Sequence, residues 1–218
     1  MYTPPPFLEE DPEAIRGMIR SVPLATLVTF TGEGLKATPL PLCLEARDDG
    51  NDVLHGHVAR ANPQWRLDPV GEAMAVFQGP DAYVSPSWYP SKQRHGQVVP
   101  TWNYVAVHAY GPLEVFEDED RLREVVTRLT QAHEAPRATP WAVTDAPEPF
   151  VAAQLRGIVG VRLPITRVEA KVKLSQNRDD ADQEGVAAAL RRSDREGARA
   201  IGQLMTRARR QAGVADRQ

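Results

Sequence analysis

A single cysteine in 218 residues rules out an internal disulfide, and without a CxxC partner Cys43 offers no thiolate zinc site. Its apolar context, PLPLCLEA, points to a buried, inert thiol. Long hydrophobic runs are missing too, for no window approaches the roughly 18 uninterrupted apolar residues of a membrane helix. The N-terminal stretch MYTPPPFLEEDPE has neither the basic start nor the apolar run of an export signal, so a cytoplasmic protein with no membrane partner is expected. Neither sign of charge dominates. A formal net charge of −3 argues against a surface wholly devoted to nucleic acid but leaves room for a local basic patch. There is no GxSxG elbow to support a hydrolase triad, no GxGxxG or GxxxxGK[ST] loop for a nucleotide, and no HExxH for zinc.

What the chain has is concentrated. Gly79 to Tyr104, GPDAYVSPSWYPSKQRHGQVVPTWNY, holds two of the four Trp and three of the five Tyr among Ser, Thr, Asn, Lys and Pro. Pro86, Pro90 and Pro100 interrupt any ladder there. Aromatic rings interleaved with small hydroxyl side chains suit a flat, polar-edged ligand; the alternative is an ordered loop whose rings fill a satellite core.

The rest reads as one large domain with a helical extension. Asp11 caps and Pro12 opens a helix carrying Ile15, Met18, Ile19 and Val22 at helical spacing. β-rich runs follow at 25–30, 35–46, 52–58 and 73–78, punctuated by hairpin-like Thr31-Gly32-Glu33-Gly34 and Asp48-Asp49-Gly50-Asn51. A further run at 105–116 should bulge at Gly111-Pro112, and a final strand is expected over 160–173. Such spacing predicts an antiparallel meander closing into a small barrel. Helices are expected at 118–134 and 148–155, and two more beyond 182, meeting near Arg192 to Asp194.

Three constellations could carry chemistry. In His55-Gly-His57-Val-Ala-Arg60-Ala-Asn62-Pro63-Gln-Trp65 the two His share a strand face, and Arg60 beside the helix-start pair Asn62-Pro63 suggests an anion site. Equally, Asn62 caps a turn and Arg60 makes a surface ion pair. A metal reading of the two His, with His95 or His108 as third ligand, lacks accompanying carboxylates. Lys171-Val-Lys173-Leu-Ser175 puts two cations on one side of a strand, either for an anion or as a basic edge that discourages aggregation. Residues 186–214 hold seven Arg against Asp194 and Glu196. That excess could meet DNA phosphates, or else Ala187, Leu190, Ile201, Leu204 and Met205 pack as an apolar stripe.

Taken together, LHGHVARANPQW, FQGPDAYVSPSWY, VPTWNY and KLSQNR, in this order, resemble the PaiB family. Its members are named FMN-binding negative transcriptional regulators, or protease synthase and sporulation regulators, and are similar to the flavin split-barrel superfamily. The resemblance implies an α+β fold: a six-stranded antiparallel split β-barrel of the pyridoxamine phosphate oxidase-like type, with flanking helices (1–178) and a C-terminal helical extension (179–218). It implies FMN held between the subunits of a homodimer. Carried onto this chain, His57, Arg60, Asn62, Ser85 and Ser87 would hold the phosphate; Thr101, Trp102 and Asn103 would line the ring, from the same or the other subunit. Lys173, Gln176 and Asn177 follow from block membership alone. A repressor role is implied, with direct or indirect DNA contact. The rival reading is a flavin-dependent oxidoreductase acting on a small molecule or haem-like substrate.

Overall fold

The computed structural model describes residues 1–215, with side chains through 210; the last three positions of the expected extension lie outside the described residues. Among the described residues nine strands and six helices follow in this order: β1 (Leu8–Glu9), α1 (Pro12–Ser21), β2 (Leu24–Thr31), β3 (Gly34–Glu45), β4 (Val53–Ala59), β5 (Ala73–Val84), α2 (Ser91–His95), β6 (Thr101–Gly111), β7 (Glu114–Phe116), α3 (Glu119–Glu134), α4 (Glu148–Leu155), β8 (Ile158–Pro164), β9 (Arg167–Lys173), α5 (Asp180–Arg191) and α6 (Glu196–Ala215). Hydrogen-bonded neighbours follow the order β1-β9-β6-β5-β2-β3-β4-β8-β7. The fold is α+β, an antiparallel sheet with flanking helices.

The expected six-stranded closed barrel is not what forms, for the sheet has nine strands and stays open. Two of the six anticipated runs break in two. Pro112 has no N–H to donate and ends pairing beyond Gly111, so the predicted bulge becomes the boundary between β6 and β7. Pro164 ends β8 in the same way before β9 begins at Arg167. β1 adds the ninth strand by pairing Leu8 with Lys171 and Glu9 with Ala170.

Residues 12–77 and 107–169 form one compact unit, and residues 1–11, 78–106 and 170 onward form another. In the first, β2 and β3 make a hairpin from Leu24↔Pro41 to Thr31↔Gly34, closed by Gly34 at φ +94°, a conformation open to glycine without strain. β4 pairs with β3 and then with β8, His57 lying opposite Gly160. α3 is capped by Asp118, whose carboxylate accepts from the Arg121 N–H. It lays Leu122, Val125 and Leu129 onto a cluster completed by Phe116 of β7 and by Val151 and Leu155 of α4. Gly160 makes that packing possible, since a Cβ there would run into the Phe116 ring.

In the second unit, α5 and α6 pack as a hairpin that buries Val186, Ala187, Leu190, Ile201 and Met205. The apolar stripe is thus covered within the chain. The Arg191 guanidinium bonds to Thr206 and Glu184, Arg209 pairs with Glu184, and Arg199 donates to the carbonyls of Ser193 and Asp194. Buried Asp182 accepts from both the backbone N–H (2.9 Å) and the hydroxyl (2.6 Å) of Ser91, tying the 91–95 turn to α5. Among the described residues no helix is long and apolar enough to cross a membrane.

Candidate functional site

In the first unit, alternation along β4 sends Leu54, Gly56 and Val58 into the core and leaves His55 and His57 half-buried on the other face. Burial pulls both imidazoles below the ordinary histidine value. Nε2 of His55 lies 3.0 Å from Glu45, whereas Nδ1 of His57 is buried without a partner. Beyond the strand, Arg60 Nε donates to the Arg156 carbonyl at 2.7 Å, one terminal nitrogen donates to Ile158 O at 3.2 Å, and the other pairs with Glu117. Trp65 donates its indole N–H to Arg60 O at 3.0 Å.

Asn62 opens a short 3₁₀ turn, its Oδ1 accepting from the Gln64 N–H at 2.9 Å and its Nδ2 donating to Thr38 Oγ1 at 2.9 Å. The turn-capping and ion-pair alternatives for Asn62 and Arg60 are therefore what the structure displays. Sequence reasoning passed over Gln64, which is 5% exposed. It accepts from Thr38 Oγ1 at 2.5 Å and donates to Thr29 Oγ1 at 3.0 Å and Leu27 O at 3.3 Å. This buried amide fastens the segment after β4 onto β2 and β3. A glutamine behind Asn-Pro was its only signal.

In the second unit, Ser85 caps the 3₁₀ turn Pro86–Trp88 by accepting from the Ser87 N–H, and Lys92 reaches Ser87 Oγ at 3.4 Å. Lys173 Nζ donates to Thr101 Oγ1 at 2.7 Å and to the Trp102 carbonyl. Burial, with Lys171 and Arg178 nearby, lowers its pKa. Trp102 is 47% exposed and meets Tyr83 edge to face, ring centroids 6.0 Å apart. Asn103 behaves differently. It is wholly buried and exchanges hydrogen bonds with Ser175 at 3.0 and 3.1 Å, holding that serine at φ +65°. It supports the 174–178 block. Gln176 sits exposed in the turn after β9, accepting from the Leu174 N–H and donating to Val172 O, and Asn177 beside it is exposed as well.

Of the anticipated residues, then, His57, Arg60 and Asn62 gather in one unit, and Thr101, Trp102 and Lys173 gather in the other. Among the described residues no group of three or more His, Cys, Asp or Glu could hold a metal. Burial raises the Cys43 thiol pKa and its Sγ lies 3.4 Å from His55 O, features of a packed side chain.

Residues 1–167 match a family model described as "Putative FMN-binding domain". The chain is 34% identical over 206 residues, 94% of its length and 96% of the relative's, to protease synthase and sporulation protein PAI 2 of Bacillus subtilis (strain 168). The chain belongs to the PaiB family. It takes FMN as its cofactor. Two solved structures share the PaiB-type fold at low identity. The flavocytochrome Anf3 of Azotobacter vinelandii superposes with a TM-score of 0.56 at 16% identity, covering 81% of this chain and 74% of the other. The FAD and heme binding protein of Mycobacterium smegmatis gives 0.53 at 18%, covering 83% and 78%.

The donors present fit such a cofactor. A phosphate asks for a guanidinium and polar N–H groups, which Arg60 and Asn62 would supply; Arg60 and Glu117 are 37% and 51% exposed at the side chain, a pairing that another anion replaces at little cost. An isoalloxazine asks for an aromatic edge with a donor beside it, which Tyr83, Trp102 and Lys173 would supply. Bound FMN carries the electron chemistry, and the protein sets its place and surroundings.

Proposed function

We propose that this chain is an FMN-binding negative regulator of transcription, working as a homodimer in the cytoplasm. One observation carries the reading. Similarity to the Bacillus sporulation protein extends over 94% of this chain, well past residue 167 where the FMN-binding match ends, so the α5–α6 hairpin belongs to the shared design as well as the flavin domain. Arg60 and Asn62 grip the FMN phosphate, with His57 behind them. Thr101, Trp102 and Lys173, supplied by the second protomer, border the ring. Ser85, Ser87, Gln176 and Asn177 shape the turns that carry this border, and Asn103 fixes them from beneath.

The deciding experiment pairs a spectrum with two functional assays. The purified protein should show flavin absorbance or take up added FMN, and should retard a specific genomic DNA fragment in a gel. It should not turn over NAD(P)H steadily with a simple electron acceptor. Steady turnover without DNA retention would overturn the regulator and install a flavin-dependent oxidoreductase in its place.

A further inference from the structure

A cavity of about 280 Å³ opens in the first unit, and Arg60 is not among the residues that line it. Four guanidinium groups line it, those of Arg47, Arg121, Arg128 and Arg162, against two carboxylates, Glu45 and Glu124. Glu45 is shared three ways, accepting from Arg47 at 2.9 Å and Arg128 at 3.0 Å while lying 3.0 Å from His55. Glu114 divides itself between Arg121 at 2.6 Å and Arg162 at 3.1 Å. Even with Glu114 counted, four positive charges face three negative ones. The donors are less saturated still, because Arg162 uses one N–H on Glu114 out of the five that a guanidinium offers.

Arg121 is also held flat, its guanidinium 3.9 Å above the Phe116 ring, so its orientation is set before any ligand arrives. Arginine forks match phosphoryl and carboxylate oxygens two at a time. The volume lies just below the range of drug-sized ligand sites, which starts at roughly 300 Å³, and a concave space of this size suits a small metabolite and not a polymer backbone. The geometry points to a binding site in this cavity for a small multivalent anion bearing phosphoryl or carboxylate groups, distinct from the FMN site. The inference does not rest on the regulator reading, since none of these residues is assigned to the cofactor.

The test is calorimetric titration of the full chain with pyrophosphate and, separately, with citrate, at matched ionic strength and with saturating FMN present. One of the two should bind once per chain, with affinity at least tenfold weaker in Arg162→Gln and unchanged when flavin-free chain replaces the loaded one. The tighter of the two anions names the chemistry, phosphorylated or polycarboxylic. If Arg162→Gln fails to fold by circular dichroism, Arg121→Gln takes its place. No heat with either anion, full affinity in both variants, or competition with FMN would overturn the proposal.

Discussion

Arg60 illustrates what a residue's surroundings add to its chemistry. The sequence shows a guanidinium beside an Asn-Pro turn; it does not show that Glu117, far along the chain, already occupies it. If phosphate displaces that carboxylate, two substitutions should move FMN affinity in opposite directions. Arg60→Ala should weaken binding by about 1.5–3 kcal/mol, the worth of a hydrogen bond to a charged group, while Glu117→Gln should tighten it by removing the competitor. Flavin fluorescence titration reads both, and weakening in both would make the pair structural. His57 yields a pH prediction. Its folded pKa is depressed by burial, so below about pH 6.5 the unfolded chain takes up a proton that the fold does not. Stability present above that pH is lost as pH falls toward the folded value. Urea midpoints should drop between pH 7.5 and 5.5, with a shallower drop in His57→Leu. A glutamine such as Gln64 was illegible beforehand because nothing in its neighbours announces Thr29 and Thr38 as partners.

At the scale of elements, most of the architecture could be read in advance. α1, α3, α4 and the α5–α6 pair fall where capping residues and apolar spacing placed them, and the two hairpin turns hold. Strand ends were harder. β5 continues to Val84 and β6 starts at Thr101, so both ends of the aromatic stretch are strand and carry Tyr83, Trp102 and Tyr104 on pairing that no periodicity revealed. Pro112 and Pro164 split two runs, which turns six into eight, and β1 adds the ninth strand. Two glycines separate packing from propensity. Gly160→Ala drives a methyl into Phe116 and should cost about 1–3 kcal/mol as overpacking. Gly17→Ala, on exposed α1 with nothing within 4 Å, should stabilise by about 0.5–1 kcal/mol. Chemical denaturation of both variants checks the contrast in sign.

For the molecule as a whole, ligand linkage gives a direct readout of the cofactor. FMN at a hundredfold excess over its Kd should stabilise the fold by about 2.7 kcal/mol, raising the melting temperature by roughly 5–10 °C for a chain of this size. Riboflavin, lacking the phosphate, should do much less; equal shifts from both would remove Arg60 and Asn62 from the binding account. The division into units also bears on how the protein is made. One unit is assembled from three separated stretches, among them the first eleven residues and everything from Ala170 onward, and Leu8 pairs with Lys171. On the ribosome the N-terminal strand must wait, unpaired, until nearly the whole chain has been translated. Nascent chains stalled before β9 should therefore remain sensitive to protease at their leading end.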